Sequence, residues 1–295
     1  MVVLRFFRNI INSSLIDKIF YRYILTTFLK ITRVNLKKRK LLRLEVDIVD
    51  HCNLNCNCCS HFSPLADEKY MDIDIFEEDC ELLSGLTKGQ IKILDLMGGE
   101  PLLHPDINKF IKISRQYFPI GEISIITNGI LLKKMNSIFW KMCYENNIKI
   151  IVSSYPIKLD IHEIRTIANN YNVILNVRGQ NDGKLWKKIP LDINGKQNNN
   201  NNFIMCSEAN NCIQLKNGKL ATCRLPFAVN HFNTFFKYNI PIEENDYINI
   251  NQIRDIDEIL EFLRKPPPIC KYCNQKDISY NINWYVSKKE ILEWT

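Results

Sequence analysis

Apolar strand-like runs alternate with amphipathic helical runs over residues 42–177. This alternation is typical of βα units, which build a parallel sheet covered by helices. The predicted strands are Leu42–Val49, Ile91–Met97, Glu122–Thr127, Ile148–Ser153 and Val173–Val177. The predicted helices are Ile73–Leu86, Ile107–Tyr117, Lys133–Asn146 and Ile161–Asn170. Five parallel strands are therefore predicted, and a sixth is not evident from the pattern.

The alternation stops after the fifth strand. Residues 179–202 are polar and end in the run Asn198–Asn202, which predicts a surface loop. Residues 203–295 carry five cysteines, a predicted hairpin at Asn217-Gly218 and a predicted helix over Ile256–Arg264. The sequence thus predicts three parts: an extension of residues 1–41, an α/β domain of residues 42–202 and a cysteine-bearing domain of residues 203–295.

Positive charge is concentrated near the N-terminus. The formal net charge of the 295-residue chain is +7, but residues 1–43 alone carry +10 and the remainder carries −3. Residues 3–31 have helical apolar periodicity and are followed by the basic run 37–40. This segment fits either an amphipathic helix in peripheral contact with an anionic membrane, or a helix packed on the body with a basic linker. The mildly acidic remainder disfavours a broad nucleic-acid-binding face, so no nucleic acid is expected as a partner.

Eleven cysteines are an unusual number for a chain without the features of a secreted protein. Arg5 and Arg8 interrupt the apolar N-terminal stretch, and no small-residue cleavage site follows it. No run approaches the 18 apolar residues of a membrane-spanning helix. A cytoplasmic location with reduced thiols is therefore expected, and clustered cysteines there indicate metal binding or catalysis.

Three of the cysteines, Cys52, Cys56 and Cys59, form a C-x3-C-x2-C motif after the first predicted strand. Loops at the carboxyl ends of parallel strands are where α/β folds place their chemistry. Three thiolates suit three irons of a [4Fe–4S] cluster and leave the fourth iron open to a ligand. The spacing alone leaves zinc open, because Cys58 or His61 offers a fourth ligand for a tetrahedral site.

A second motif, Met97-Gly98-Gly99-Glu100-Pro101, follows the second predicted strand. Its two glycines allow a ligand to approach the backbone closely. Strand-end carbonyls and the Glu100 carboxylate are able to accept hydrogen bonds from an ammonium group. Because this motif follows the cysteine motif by one βα unit, it strengthens the iron–sulfur interpretation.

With these two motifs in this order, residues 42–180 resemble the radical SAM superfamily. The resemblance implies a partial (β/α)6 barrel in which Cys52, Cys56 and Cys59 ligate a [4Fe–4S] cluster and S-adenosylmethionine chelates its open iron. The residues implied around S-adenosylmethionine are Gly98, Gly99 and Glu100 at its amino group, Asn128 on the ribose side, and Ser153 and Arg178 near the ribose or the carboxylate. One position departs from the family pattern: Cys58 stands where an aromatic residue usually packs near the adenine.

The C-terminal region contains the other cysteine cluster, which comprises Cys206, Cys212, Cys223, Cys270 and Cys273. Cys206 and Cys223 fit the pattern C-x11-G-x4-C, and Cys270 and Cys273 form a C-x2-C. Four thiolates suit either zinc or a second [4Fe–4S] cluster. The pattern resembles the twitch domain of radical SAM enzymes, which holds one auxiliary [4Fe–4S] cluster. The resemblance implies ligation by Cys206, Cys223, Cys270 and Cys273, with Cys212 as an alternative to Cys206.

The resemblance also implies a reaction. Reductive cleavage of S-adenosylmethionine would give a 5′-deoxyadenosyl radical, which abstracts a hydrogen atom from the substrate. The auxiliary cluster would accept an electron and complete an oxidation, as in a twitch-bearing aminocyclitol dehydrogenase. The short extension and the single-cluster cap favour a small molecule, such as a sugar, an aminocyclitol or a nucleotide-linked sugar. An external electron donor such as flavodoxin or ferredoxin is implied.

Two alternatives remain open at the level of sequence. One is a radical SAM maturase that modifies a peptide or protein. The other is a non-catalytic iron–sulfur or zinc protein with a degenerate barrel. The sequence identifies no general base, so the catalytic side chains stay unassigned.

Overall fold

A parallel β-sheet covered by helices forms the body of the molecule. The computed structural model describes residues 41, 43–179 and 186–295. The strands are β1 (Leu44–Val49), β2 (Ile93–Gly98), β3 (Glu122–Thr127), β4 (Ile148–Ser153) and β5 (Leu175–Arg178), and neighbours in this order pair in parallel. The intervening helices are α1 (Ile73–Thr87), α2 (Ile107–Tyr117), α3 (Ser137–Glu145) and α4 (Ile161–Asn170). The predicted α/β fold class of consecutive βα units is confirmed.

Local capping sets where the helices begin. The Asp72 carboxylate accepts hydrogen bonds from the first turn of α1, which starts where it was predicted. The third predicted helix begins later than expected, at Ser137 instead of Lys133. The Asn136 side chain accepts a hydrogen bond from Phe139 N at 3.0 Å and so fixes this start.

A sixth parallel strand comes from the C-terminal region. Strand β7 (Gln214–Lys216) pairs in parallel with the outer edge of β1, and β8 (Lys219–Ala221) and β9 (Ile248–Asn249) extend the sheet antiparallel. The predicted hairpin at Asn217-Gly218 joins β7 and β8 and is confirmed. The sheet therefore runs β5-β4-β3-β2-β1-β7-β8-β9. Every residue of β1 is buried, and both edges of this strand are paired.

The polar segment before residue 203 is not the loop that its composition predicts. Strand β6 (Trp186–Lys188) pairs antiparallel with β10 (Ser279–Ile282), and the asparagine run forms helix α5 (Asn199–Met205). Asn198 caps this helix, and the amide of buried Asn202 donates to the carbonyls of Cys270 and Cys273. The loop prediction is wrong for Trp186–Lys188 and for the asparagine run, whose amides are satisfied by helix capping and tertiary contacts. Residues 189–198 contain no helix or strand, as predicted, and residues 180–185 lie outside the described residues. The predicted domain boundary after residue 202 falls inside α5.

Two large apolar cores lie within the described residues, beside a minor cluster around Phe203. The larger one lies between the sheet and helices α1–α4 and includes Phe76, Phe110 and Trp140. The smaller one packs α6 (Leu225–Phe236) against the loop after β1, through Phe62, Phe232 and Trp294 among others. The last helix, α7 (Ile256–Phe262), ends slightly before its predicted limit.

In the described part of the chain, no helix is both long enough and apolar enough to cross a membrane. The predicted basic extension of residues 1–41 lies outside the described residues, with the exception of buried Leu41.

Candidate iron–sulfur and S-adenosylmethionine site

A cavity of about 220 Å³ lies at the carboxyl ends of β1–β4, and we call it the three-thiol cavity. It is lined by Cys52, Cys56 and Cys59 after β1, Gly98 and Gly99 at the end of β2, Thr127 and Asn128 at the end of β3, and Ser153 and Tyr155 at and after the end of β4. The structure thus brings the three cysteines of the C-x3-C-x2-C motif to one place, together with four of the six residues predicted around S-adenosylmethionine.

Of the cysteines of this cavity, Cys56 is buried, whereas Cys52 and Cys59 are half-buried and receive backbone hydrogen bonds. Leu54 N donates to Cys52 Sγ at 3.4 Å, and the backbone N–H groups of His61 and Ser63 interact with the Cys59 thiol. Burial raises the pKa of Cys52 to about 11 and raises the pKa of Cys59, because a lone buried thiolate is poorly solvated. A bound metal centre would supply the positive charge that makes thiolates stable here.

The two glycines of the Gly-Gly-Glu-Pro motif allow two loops to approach each other. A Cβ on Gly99 would lie 1.9 Å from the His51 carbonyl oxygen, and a Cβ on Gly98 would lie 2.3 Å from the Val49 carbonyl oxygen. Gly99 N donates to Val49 O at 2.7 Å. The glycines line the cavity, and they also fix the base of the cysteine loop against the end of β2.

The Glu100 carboxylate is fully buried and is occupied by protein donors. Its Oε1 accepts from Thr127 Oγ1 at 2.6 Å and from Leu102 N at 3.1 Å, while Oε2 accepts from Asn128 N at 2.8 Å. Burial raises its pKa to about 7 although these hydrogen bonds oppose the shift. Glu100 is not among the residues that line the cavity. It fixes the Thr127-Asn128 turn, and this turn lines the cavity.

Asn128 connects that turn to the cysteine loop. Its Nδ2 donates to Asn53 Oδ1 at 2.7 Å and lies 3.8 Å from Cys52 Sγ. Ser153 lies beside Arg178 in the register of β4 and β5. Arg178 is exposed and does not line the cavity, so the structure does not bring its side chain to the other predicted residues.

A C-terminal segment that we call the strap, residues 283–294, clamps the cysteine loop. Asn57 is 1% exposed and pairs with the strap through its backbone and its side chain. Asn57 N donates to Tyr285 O and Asn57 Oδ1 accepts from Tyr285 N, both at 3.0 Å. Trp294 Nε1 donates to Cys59 O at 2.9 Å. The loop geometry therefore depends on residues more than 220 positions away along the chain.

A second cavity, of about 60 Å³, is lined by cysteines of the C-terminal region and is called the C-terminal cysteine cavity. Its sulfur-bearing residues are Cys58, Cys206, Cys212, Cys223 and Cys273. The Cys273 thiol interacts electrostatically with those of Cys206, Cys223 and Cys270. The structure thus brings together the four cysteines predicted as auxiliary ligands.

The structure gives Cys206 and Cys212 different surroundings. Cys206 Sγ accepts hydrogen bonds from Glu208 N at 3.3 Å and Ala209 N at 3.4 Å. The Cys212 thiol instead donates to Glu208 Oε2 at 3.1 Å. Donation to a carboxylate favours the protonated thiol, whereas backbone N–H donors favour a thiolate. These contacts support Cys206 as the ligand in preference to Cys212.

Comparison with known proteins gives a family match for part of the sheet and part of the three-thiol cavity. Residues 46–151 match the Radical SAM superfamily, and this range includes the cysteine motif, the Gly-Gly-Glu-Pro motif and the Thr127-Asn128 turn. Residues 46–151 form a radical SAM domain. Radical SAM enzymes use a [4Fe–4S] cluster and S-adenosylmethionine.

Curated relatives of the radical SAM domain share only part of their length with this chain. The GTP 3′,8-cyclase of Nautilia profundicola is 33% identical over 97 residues, which is 33% of this chain and 30% of the relative. The GTP 3′,8-cyclase of Staphylococcus saprophyticus is 30% identical over 100 residues, or 32% and 29% of the two chains. The chain thus spans less than a third of the curated relatives that it matches.

Solved structures of similar proteins include two radical SAM enzymes. BtrN in complex with AdoMet and 2-DOIA is 18% identical, with a TM-score of 0.49 over 79% of this chain and 92% of BtrN. Streptococcus suis SuiB bound to S-adenosylmethionine is 15% identical, with a TM-score of 0.38 over 56% of this chain and 40% of SuiB. Both TM-scores are below 0.5.

The residues of the radical SAM domain fit an iron–sulfur cluster by their chemistry. Three thiols share one cavity, and those of Cys52 and Cys59 receive backbone N–H donors, which are features of cluster ligation. Across the described ranges, no group of three or more Cys, His, Asp or Glu side chains forms a site for a single metal ion. A [4Fe–4S] cluster differs from such a site because each thiolate ligates its own iron.

Several residues of the cavity were not found by sequence reasoning. Tyr155 and Trp186 line it, and their rings contact each other edge-on with centroids 5.7 Å apart. They supply aromatic surface in the three-thiol cavity, whereas Cys58 lines the C-terminal cysteine cavity instead. Arg224 also lines the cavity, and its position directly after Cys223 was the one signal for it in the sequence.

Proposed function

We propose that this chain is a radical SAM enzyme that oxidises a small, carbohydrate-like molecule and passes one electron to an auxiliary [4Fe–4S] cluster. When bound, the first cluster and S-adenosylmethionine supply a 5′-deoxyadenosyl radical. The overall change is removal of two electrons and two hydrogens from an alcohol carbon to give a carbonyl. The observation that carries the proposal is the adjacency of the two cysteine-lined cavities, since Ser60 and Arg224 line both of them.

The cofactor ligands follow from the lining of the two cavities and, for Cys270, from its electrostatic interaction with Cys273. We assign Cys52, Cys56 and Cys59 to the first cluster, and Cys206, Cys223, Cys270 and Cys273 to the auxiliary one. For S-adenosylmethionine, the lining positions of Gly98, Gly99, Asn128 and Ser153 support direct contact. Glu100 acts indirectly, by holding the Thr127-Asn128 turn. Contact between Arg178 and S-adenosylmethionine stays a prediction, since the side chain would have to reach the cavity from its exposed position.

The chain's own contribution is to hold a small polar substrate in a site shielded from water. Polar side chains of Ser60, His61 and Ser63 line the three-thiol cavity beside the aromatic rings of Tyr155 and Trp186. Hydroxyl groups of a sugar or an aminocyclitol pair with such side chains, and aromatic faces cover the apolar face of a sugar ring. A nucleotide-linked sugar presents the same groups, and an external donor such as flavodoxin or ferredoxin would supply the electron for cleavage.

Metal content and 5′-deoxyadenosine release test the proposal together. Anaerobically reconstituted protein should contain about eight irons per chain from two four-iron clusters. With dithionite and S-adenosylmethionine, sugars or aminocyclitols should stimulate 5′-deoxyadenosine release and yield a carbonyl product. The Cys52→Ala variant should abolish release, whereas Cys80→Ala should not, because Cys80 is buried in α1 away from both cavities.

The same assay separates the alternatives. Stimulation by peptides and not by sugars would favour a maturase, and stimulation by GTP alone would favour a reaction like that named for the curated relatives. Zinc in place of iron, or no 5′-deoxyadenosine with any substrate, would refute the proposal in favour of a non-catalytic metal protein.

A further inference from the structure

Arg224 lies in the wall between the two cysteine-lined cavities. Its side chain lines the three-thiol cavity and also the C-terminal cysteine cavity. It directly follows Cys223, which is one of the proposed auxiliary ligands, and it precedes the first residue of α6. No function assigned above uses this side chain.

The Arg224 guanidinium has two hydrogen-bonding partners, but one of its N–H groups lacks an acceptor among the described residues. Nη2 pairs with Glu45 Oε2 at 2.8 Å, and Nη1 donates to Ser60 Oγ at 2.8 Å. The Arg224 side chain is only 15% exposed, and that of Glu45 is 4% exposed. Nε is buried and, among the described residues, has no hydrogen-bond acceptor. A buried N–H of a cation left without an acceptor is costly, which indicates that a bound group accepts from it.

The positive charge of Arg224 acts on the auxiliary cysteines. Arg224 lines the C-terminal cysteine cavity together with Cys206, Cys223 and Cys273, so its charge lies close to their thiols. The nearby carboxylates have cationic partners of their own. Glu45 also faces Arg43 at 3.6 Å, and Glu208 pairs with Lys187 at 2.5 Å. The charge of Arg224 is therefore only partly neutralised at the cavity wall.

We propose that Arg224 is a positioning residue for electron transfer, whose charge stabilises the reduced auxiliary cluster. A cluster ligated by four thiolates is anionic, and a nearby cation favours the form that carries one more electron. Arg224 thus raises the reduction potential of this cluster. This inference rests on the proposed function, in which the substrate carbon radical gives one electron to the auxiliary cluster while its hydroxyl proton goes to water, leaving C=O.

The test is the midpoint potential of the auxiliary cluster, followed by EPR during anaerobic titration of the full chain. A Cys52→Ala/Cys56→Ala/Cys59→Ala background leaves the auxiliary signal alone. At a fixed applied potential, Arg224→Gln should lower the ratio of reduced to oxidised cluster at least tenfold, which is about 59 mV for one electron. Arg224→Lys should lower this ratio less than Arg224→Gln does, and Glu45→Gln should raise it.

Arg43→Gln is the matched control. Arg43 also contacts Glu45 and pairs with Asp95 at 2.6 Å, but it lines neither cavity, so its loss should change the potential little. An unchanged potential in Arg224→Gln, or shifts of the same sign in Arg224→Gln and Glu45→Gln, overturns the role of Arg224 alone. If the Arg224→Gln variant loses its iron, the direction of the potential shift in Arg224→Lys and in Glu45→Gln tests the proposal instead. Opposite directions support the role of Arg224, and the same direction overturns it. If the triple-alanine background binds no [4Fe–4S] cluster, the proposed function fails as well.

Discussion

The side-chain amide of Asn57 donates to the carbonyl oxygen of Asn283 at 3.2 Å, although the two residues are 226 positions apart in the chain. Asn57 lies inside the cysteine motif, and Asn283 begins the strap. The contact joins the loop that carries the proposed cluster ligands to the C-terminal end of the described structure. Correct placement of the thiols therefore depends on C-terminal packing.

Asn57→Ala should loosen the cysteine loop. The substitution leaves the Asn283 carbonyl and the Tyr285 N–H without their partner, and the loss of each part-buried hydrogen bond should cost about 0.5–1.5 kcal/mol. We expect faster hydrogen exchange across residues 283–287 and faster loss of iron to a chelator. Asn230→Ala, at an exposed position of α6, is the control and should change neither rate. Unaltered exchange in the Asn57 variant would show that the strap is held by other contacts.

Gly99→Ala should displace the base of the cysteine loop. The added Cβ would meet the His51 carbonyl at 1.9 Å, so the loops after β1 and β2 must separate. We expect loss of the iron of the first cluster, with the auxiliary cluster retained. Gly85→Ala is the matched control, since no atom lies within 4 Å of its Cβ and it sits within α1. The control should stabilise the fold by about 0.5–1 kcal/mol. Normal iron content in Gly99→Ala would contradict the prediction.

Cys206→Ala and Cys212→Ala should separate the two possible auxiliary ligands. If the N–H donors to Cys206 mark a thiolate ligand, its loss should reduce the iron content from about eight to about four per chain. Cys212→Ala should retain all the iron, because the Cys212 thiol donates a hydrogen bond to Glu208. Iron and sulfide analysis of both variants provides the measurement. The reverse result would make Cys212 the ligand.

Asp79→Asn should stabilise the protein in a pH-dependent manner. Burial raises the pKa of Asp79 from 3.8 to about 6, although Gly218 N donates to its carboxylate at 2.6 Å. Between these two values the unfolded state binds fewer protons than the folded state, so the stability of the natural protein falls as the pH rises through this window. An asparagine keeps an acceptor for Gly218 and carries no charge.

The expected gain for Asp79→Asn at pH 7 is about 2 kcal/mol, because burial raises the pKa of Asp79 from 3.8 to about 6. The gain should shrink as the pH falls from 7 towards 5. Thermal unfolding of both proteins across this range provides the measurement, and the exposed Asp67→Asn is the control. A gain that is constant over this pH range would show that ionisation of Asp79 is not its cause.

Local sequence patterns were sufficient for the βα units. Strands β3 and β4 and helices α2 and α4 have the predicted limits, because hydrophobic periodicity and capping residues act over a few positions. The C-x3-C-x2-C spacing is equally local, and it places three thiols in one loop whatever the rest of the chain does. The sequence could therefore predict the sheet, the loop and the kind of metal centre that the loop suits.

Tertiary structure alone decided what surrounds those thiols. The pairing of β7 with β1, the clamp on Asn57 and the position of Arg224 each join segments more than 150 residues apart. No local periodicity encodes such contacts, since they arise when apolar faces from distant segments are buried together. The asparagine run shows the same principle, because composition predicted a loop and burial against Cys270 made it a helix. The sequence determined the chemistry of the site, and packing determined which charges and amides lie beside it.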